Sequence, residues 1–209
     1  DINAIGPTSV LIIKSTVPVG ATNYFQEKYP ALNLIHSPEF LTAKNAKWDF
    51  QHPDRNIVGH SGDIECANKV VKLYKNRFPS IDCLLMESNE SEMVKYICNS
   101  FLATKVSFFN EMYNFVGKKN CSWDKIISGI IADPRIGNSH YDVPGHDGLR
   151  GFGGTCFPKD INSLIHQMKE NGLDPKMLKA AWSVNKEVRE EEDWLSESSA
   201  VSNKNESQD

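Results

Sequence analysis

Between Asn89 and Lys118 the chain runs for thirty residues without a proline, and without a glycine before Gly117. Met93, Ile97, Phe101, Phe108, Met112 and Phe115 recur in this stretch at spacings of three, four or seven, which place side chains on one face of an α-helix. The pattern predicts a helix over 89–118, with Asn89 as cap and Glu92, three residues on, completing a capping-box-like start. At the helical rise such a segment is ~45 Å long. That is more than one compact domain needs, so the segment reads as a spine linking domains or as a dimer contact. Phe101, Phe108, Phe109, Met112, Tyr113 and Phe115 also make a larger apolar surface than a thin sheet covers, which predicts a homodimer.

The residues before this helix have a different rhythm. Four short apolar runs, at 9–15, 33–36, 56–59 and 82–86, alternate with helical patterns at 19–29 and 63–77. Short strands apolar on both faces, separated by helices, predict an α/β fold with a parallel sheet. After the long helix comes another over 122–132, capped by Ser122. Residues 133–157 break every pattern with Pro134, Gly137, Pro144, Gly145, Gly148, Gly151, Gly153 and Gly154. Helices resume near Pro158 and run, with a break at 172–175, to about Glu190. A long glycine-rich loop inside a compact domain is usually functional or disordered.

Charge narrows the partners. Residues 190–209 hold seven acids against one base, Lys204, while the rest of the chain holds 22 bases against 20 acids. The tail is therefore read as solvated and disordered, and the nearly neutral body excludes bulk nucleic-acid binding. No apolar run reaches the ~20 residues that span a bilayer, so no membrane partner is expected. The five cysteines, Cys66, Cys83, Cys98, Cys121 and Cys156, contain no CxxC pair. Reduced thiols and a cytoplasmic location are expected, with Cys66, Cys83 and Cys98 in the core. The six histidines show no metal spacing, and no metal is assigned.

The best candidate site is the run Gly151-Phe152-Gly153-Gly154-Thr155-Cys156-Phe157-Pro158-Lys159-Asp160. Pro158 suits a first helical turn. This places Cys156 at a helix N-terminus, where backbone N–H groups and the dipole favour a thiolate. Lys159 adds positive charge, and Asp160 can hold a water or orient a neighbour. The local chemistry leaves a reactive and an inert thiol equally open. Lys95 and Asn99 are four residues apart on the long helix and can stabilise an oxyanion, although spacing alone favours a solvated polar stripe. Thr16 and Glu39 each follow a short strand, the place where open α/β sheets hold ligands. Glu39 is a candidate general base or water-holder, against a plain role as a helix N-terminal acid, and Thr16 against a plain turn residue.

Taken together, Ser15-Thr16-Val17-Pro18-Val19-Gly20, Ser37-Pro38-Glu39-Phe40-Leu41, Asp133-Pro134-Arg135-Ile136-Gly137 and the cysteine run resemble the nucleotide-sugar 6-dehydrogenase family, in order and in context. The resemblance covers residues from about 9 to 188 and is strongest to the branch acting on UDP-glucose, with the GDP-mannose and UDP-N-acetylhexosamine branches as alternatives. It implies a Rossmann-like, doubly wound parallel sheet of which this chain holds the last part, followed by an all-helical central dimerisation domain built on the long spine helix. It also implies oxidation of a UDP-sugar at C6 from alcohol to carboxylate with two NAD, through a thiohemiacetal and a thioester on the cysteine.

Residue by residue, the resemblance casts Cys156 as nucleophile, Lys95 and Asn99 as the pair at the C6 oxygen, Asp160 as the acid beside the thiol, and Thr16 and Glu39 as the residues around the catalytic water. Glu39, Phe40, Leu41, Lys95, Asn99, Arg135, Tyr141, Phe152 and Gly153 match substrate contacts, with Arg135 reaching across a dimer interface. Ser15, Thr16, Glu39 and Lys159 match cofactor contacts. The expected organisation is 1–88 as the end of the NAD-binding domain, 89–189 as the central domain and 190–209 as the tail.

This sequence departs from the family in three ways. It has no G-x-G-x-x-G to cradle a pyrophosphate, its match stops near Arg189, and Ala43 stands where the family often has an acid. The chain is therefore read as a piece of such an enzyme that lacks N- and C-terminal domains. A catalytically silent dimerisation scaffold and an unrelated thiol enzyme are the rivals.

Overall fold

A computed structural model describes residues 9–42 and 45–195. The chain divides into two compact units, Asp1–Ile97 and Cys98–Asp209, so the division falls inside the long helix.

The first unit is built on a four-stranded sheet of β1 (Val10–Ile13), β2 (Asn33–His36), β3 (Asn56–His60) and β4 (Cys83–Glu87), in that spatial order. The β1–β2 and β3–β4 pairs are parallel, as the β/α alternation predicts. The middle pair is antiparallel and short, with Ile35 opposite His60 and His36 opposite Gly59. Among its described residues, the connection from β2 to β3 carries one α-helix, the six-residue α2 (Ala46–Gln51), which the sequence pattern did not suggest. That is too little for the crossover helix a parallel pair needs. The other helices of this unit are α1 (Ala21–Lys28) and α3 (Ile64–Arg77). Asp63 caps α3, accepting from Cys66 N at 2.9 Å, and Lys75 and Arg77 in its last turn complement the dipole. Ile35, Val58, Ala67 and Val70 form the core. Cys66 is buried and Cys83 and Cys98 are half-buried. The Cys66 thiol is pushed above its ordinary value by the Asp63 hydrogen bond and then by burial, and Cys83 is pushed up by burial.

Helix α4 (Ser88–Lys118) leaves β4 without a connecting loop and runs for 31 residues. Its start corrects the capping expectation by two residues. Glu90, not Glu92, reaches back and accepts from Glu87 N at 2.8 Å. Glu92 is buried and serves another helix. Its carboxylate accepts from Gly20 N at 2.6 Å, Thr22 N at 2.9 Å and Thr22 Oγ1 at 2.5 Å. Helix α1 begins at Gly20 with φ of 92° and no side-chain cap of its own, so Glu92 supplies one from 72 residues away.

A buried histidine sits beside this carboxylate. His36 Nδ1 is 2.7 Å from Ser91 Oγ. Ser91 Oγ already donates to Ser88 O at 2.8 Å, so the imidazole nitrogen is the donor to it. Burial holds His36 below its ordinary value of 6.5, helped by Lys14 and outweighing Glu92 and the Ser15 carbonyl, which act the other way. The unfolded chain then takes up a proton near pH 6.5 that the folded unit resists. The stabilisation is fully present above 6.5 and is lost as the pH falls below it. Unfolding in urea at a series of pH values should show a falling stability of up to about 1.4 kcal/mol per pH unit for this one proton. His36→Asn should reduce that slope, and an unchanged slope would remove His36 as its source.

The second unit contains the rest of α4, α5 (Trp123–Ile131), α6 (Cys156–Glu170), α7 (Lys176–Val188) and a 3-10 turn at Asp193–Leu195. Ser122 caps α5, accepting from Lys125 N at 3.5 Å. One core cluster joins Ala103 to Phe152, Ile161, Ile165 and Ala181, and a second joins Phe109 to Ile127 and Val143. The solvated tail expected from residue 190 does not begin there. Trp194 is buried, with its ring 5.1 Å from that of Trp182. Residues 196–209 lie outside the described residues. Among the described residues no helix is long and apolar enough to cross a membrane.

Candidate active site

Cys156 is the first residue of α6 and is exposed. Asp160, one turn along the same helix, is buried and bound on both oxygens. Asn99 Nδ2 donates to its Oδ2 at 2.5 Å, and the Lys159 ammonium pairs with its Oδ1. A buried carboxylate with both oxygens engaged by charged or amide donors is fixed in place. Asn99 is itself buried, which sets aside the solvated-stripe reading for this residue. Three of the residues singled out in the sequence are thus linked in one chain, Asn99–Asp160–Lys159, at the end of α6 that begins with Cys156.

In the first unit, Thr16 and Ser15 follow β1, and Glu39 follows β2 by three residues. Lys95, half-buried on α4, donates to the Glu39 carbonyl oxygen at 2.6 Å, and its ammonium lies 5.2 Å from the Phe40 ring centroid. The Arg55 guanidinium lies 4.2 Å from the same ring. Phe40 therefore presents its face to two cations. Lys14, which the sequence reading passed over, lies 3.7 Å from the Glu39 carboxylate and donates to the Tyr74 hydroxyl at 3.2 Å. Tyr74 in turn is 2.9 Å from Ser37 Oγ. Glu39, Phe40 and Leu41 border a cleft of about 320 Å³ that Lys14 and Arg55 also line.

The remaining residues of the sequence reading are placed as follows. Arg135 is exposed and binds Asp133 of its own loop, with Nη2 at 2.5 Å from the carboxylate. Tyr141 packs with the Phe109 cluster, its ring 6.5 Å from that of Phe109. Phe152 is buried in the core between α4, α6 and α7. Gly153 lies so close to Arg189 and Asp193 that a Cβ there would collide with both.

The glycine-rich loop is ordered by side chains the sequence reading missed. Asn185, fully buried on α7, accepts from Phe152 N at 2.7 Å and donates to Phe152 O at 3.0 Å, as a neighbouring strand would. Asn110, buried on α4, accepts from Gly151 N at 3.2 Å. Gly151 has φ of 70° and leaves no room for a Cβ against Asn185, so both its backbone and the close approach require glycine. Arg189, with its side chain 2% exposed, pairs with Asp147 at 2.7 Å and Asp193 at 3.1 Å. The sequence signal for these residues was faint. Asn185 and Arg189 are four apart at the end of a helical pattern, and polar residues on an apolar helix face mark buried hydrogen bonds. Among the described residues no group of three or more His, Cys, Asp or Glu side chains is arranged to hold a metal.

Comparison with known proteins places this arrangement. Residues 2–78 match the model for the NAD binding domain of the UDP-glucose/GDP-mannose dehydrogenase family, and residues 89–187 match the model for the central domain of the same family. The UDP-glucose 6-dehydrogenase of Campylobacter jejuni is 38% identical over 165 residues, which are 79% of this chain and 41% of that protein. That of Rickettsia bellii is 37% identical over 188 residues, 88% of this chain and 42% of its own. A solved UDP-glucose dehydrogenase from Pyrobaculum islandicum superposes with a TM-score of 0.76 at 32% identity, covering 85% of this chain and 41% of that one. A UDP-D-ManNAc dehydrogenase from Pyrococcus horikoshii shares the fold with a TM-score of 0.74 at 22% identity, covering 89% of this chain and 44% of that one. The chain thus spans about 41% of the length of such relatives. Two consecutive domain models of one family, matched in order on either side of the start of α4, make this chain a member of the UDP-glucose/GDP-mannose dehydrogenase family.

Proposed function

We propose that this chain provides the thiol-bearing part of a nucleotide-sugar 6-dehydrogenase acting on UDP-glucose. The observation that carries the reading is the Asn99–Asp160–Lys159 chain, which joins α4 to the helix that Cys156 opens. The thiol stands exposed on the first residue of α6, open to a carbonyl carbon. In the proposed reaction the C6 alcohol is first oxidised to an aldehyde, and the Cys156 sulfur adds to its carbonyl carbon to give a thiohemiacetal. Loss of a hydride from that carbon leaves a thioester. Water, held by Glu39 and Thr16, then displaces the sulfur, giving the carboxylate and restoring the thiol. Covalent capture divides one difficult oxidation into two easier steps. Lys95 and Asn99, one turn apart on α4, stabilise the C6 oxygen while it carries negative charge. Arg135, exposed and paired with Asp133 of its own loop, is assigned to the substrate of a second copy in a homodimer formed through α4.

Two NAD molecules, bound in turn, would each accept one hydride. Ser15 and Thr16 sit at the carboxyl end of β1, the edge at which open α/β sheets bind dinucleotides, and with Glu39 are assigned to the nicotinamide side of such a cofactor; the family resemblance assigns Lys159 a cofactor contact as well. No G-x-G-x-x-G occurs in the 209 residues, so the pyrophosphate has no glycine cradle among them.

Two measurements test this reading. Brief iodoacetamide treatment near neutral pH, followed by mass mapping, should label Cys156 well ahead of Cys66 and Cys83, whose thiols are raised and shielded. Equal labelling would remove the nucleophile and leave the scaffold reading. An assay for NADH formation from UDP-glucose should give no sustained turnover by the chain alone. Sustained, Cys156-dependent turnover would show that these residues suffice, and would overturn the proposal that they are one part of the enzyme.

A further inference from the structure

The family match ends at residue 187, and the residues that follow α7 have no part in the reading above. They nevertheless return to the loop that carries Cys156. Gly154 N donates to Asp193 Oδ2 at 2.9 Å, and Arg189 Nη2 donates to the same oxygen at 3.1 Å. Arg189 Nη1 holds Asp147 Oδ2 at 2.7 Å and reaches the Arg150 carbonyl oxygen at 3.5 Å, so one buried guanidinium ties residues 147 and 150 of the loop to residue 193. Burial pushes the Asp147 carboxyl upward, but the hydrogen bond and charge of Arg189 and the Leu149 N–H outweigh it and hold the group below its ordinary value. Behind this ion cluster, Trp194 is anchored against Trp182, whose ring is 5.9 Å from that of Phe152. The backbone from Gly151 to Gly154 is therefore held in turn by Asn110, Asn185 and Asp193. Only Thr155 then separates it from the cysteine.

We propose that residues 189–195 form a strap that positions Cys156. Asp193 fixes the Gly154 N–H, Arg189 fixes Asp193, and together they set the direction in which the chain enters α6 and presents the sulfur. Both are positioning residues acting through the backbone, and the functional meaning of the strap rests on the proposed role of Cys156. One oxygen of Asp193 accepts from both Gly154 N and Arg189 Nη2, so the strap depends on where that acceptor stands.

Three replacements of Asp193 in the full chain separate geometry from charge. Its side chain is 38% exposed, so the site tolerates change. Asp193→Asn keeps an acceptor oxygen and removes the charge. Asp193→Glu keeps the charge and displaces the acceptor by a methylene. Asp193→Ala removes both. In D193A the Gly154 amide should exchange hydrogen about tenfold faster, with Leu164 and Ile165 in α6 unchanged, and Cys156 should be alkylated about fivefold more slowly at neutral pH. D193E should be slowed in the same sense, whereas D193N should stay within about twofold of the parent on both readouts. If D193A loses its cooperative unfolding transition, D193E against D193N decides. Slowing in D193N equal to that in D193A would mean that the carboxylate acts through its charge, and would overturn the strap. So would parental rates in D193E and D193A. If Cys156 of the parent labels no faster than Cys66, the nucleophile reading fails by itself, and the Gly154 exchange still reports on the strap.

Discussion

Glu92→Ala is expected to destabilise the first unit by about 3 kcal/mol or more. The carboxylate is 1% exposed and accepts from Gly20 N, Thr22 N and Thr22 Oγ1. Removing it leaves three donors facing a cavity, and Thr22 is fully buried, so water does not replace the lost acceptor at that position. Each orphaned donor costs about 1–3 kcal/mol, and the loss is not fully additive because the first turn of α1 can fray. Glu92→Gln should fall between the parent and the alanine variant. The carboxamide keeps one acceptor oxygen but turns its NH₂ toward donors that need an acceptor. Urea unfolding followed by far-UV circular dichroism measures this. A Glu92→Ala midpoint corresponding to less than about 1 kcal/mol of loss would mean that α1 does not depend on its borrowed cap.

The same residue shows where sequence reasoning stops. Glu92 lies three residues after a plausible cap, and within its own helix that spacing argues for a capping box. Nothing local reveals that its partners are 70 and 72 residues earlier. What the sequence did carry were features with local causes. The spacing of apolar residues gave α4, Ser122 stands where α5 is capped, and Pro158 falls in the first turn of the helix that Cys156 opens. Features set by distant partners were not legible. The antiparallel β2–β3 pair depends on how residues 37–55 turn back, which periodicity does not encode. The order of the glycine-rich loop depends on Asn110 and Asn185, each about 30 to 40 residues away in sequence.

The site was legible as a set of residues and less so as an arrangement. Asn99, Asp160 and Lys159 were each named from spacing or motif, but their joining through the buried Asp160 carboxylate needed the fold. Lys95 and Asn99 look like one polar stripe on a helical wheel. In the folded chain Lys95 is held by the Glu39 carbonyl and Asn99 by Asp160, so neighbours on one face have different partners. The acidic composition of residues 190–209 suggested solvation throughout, because charge averages over a window. One tryptophan within it, Trp194, is enough to anchor the first part against the core.

Phe108→Glu is expected to convert the proposed homodimer of this chain into a monomer. On α4, Phe101, Phe108 and Phe115 are 66%, 55% and 59% exposed in the single chain. They are seven residues apart and line one stripe of the helix, continued by Met93 and Ile97. Helix α5 covers the neighbouring face, where Phe109 is buried, so the alternative in which local helices hide all the aromatics accounts for Phe109 and not for these three. A two-fold contact along α4 would cover the same stripe on both copies. Burying one phenylalanine is worth about 1.5–3 kcal/mol, and symmetry doubles the effect of each substitution. Placing a glutamate at residue 108 on both copies removes that gain twice and brings two carboxylates to one apolar interface, so the dissociation constant should rise at least about a hundredfold. Because Phe108 is exposed in the single chain, the variant should keep the parent's circular dichroism spectrum. Light scattering coupled to gel filtration reads the outcome. A parent mass near 23.5 kDa at micromolar concentration would refute the dimer. A dimer that survives Phe108→Glu unchanged would move the contact off this stripe.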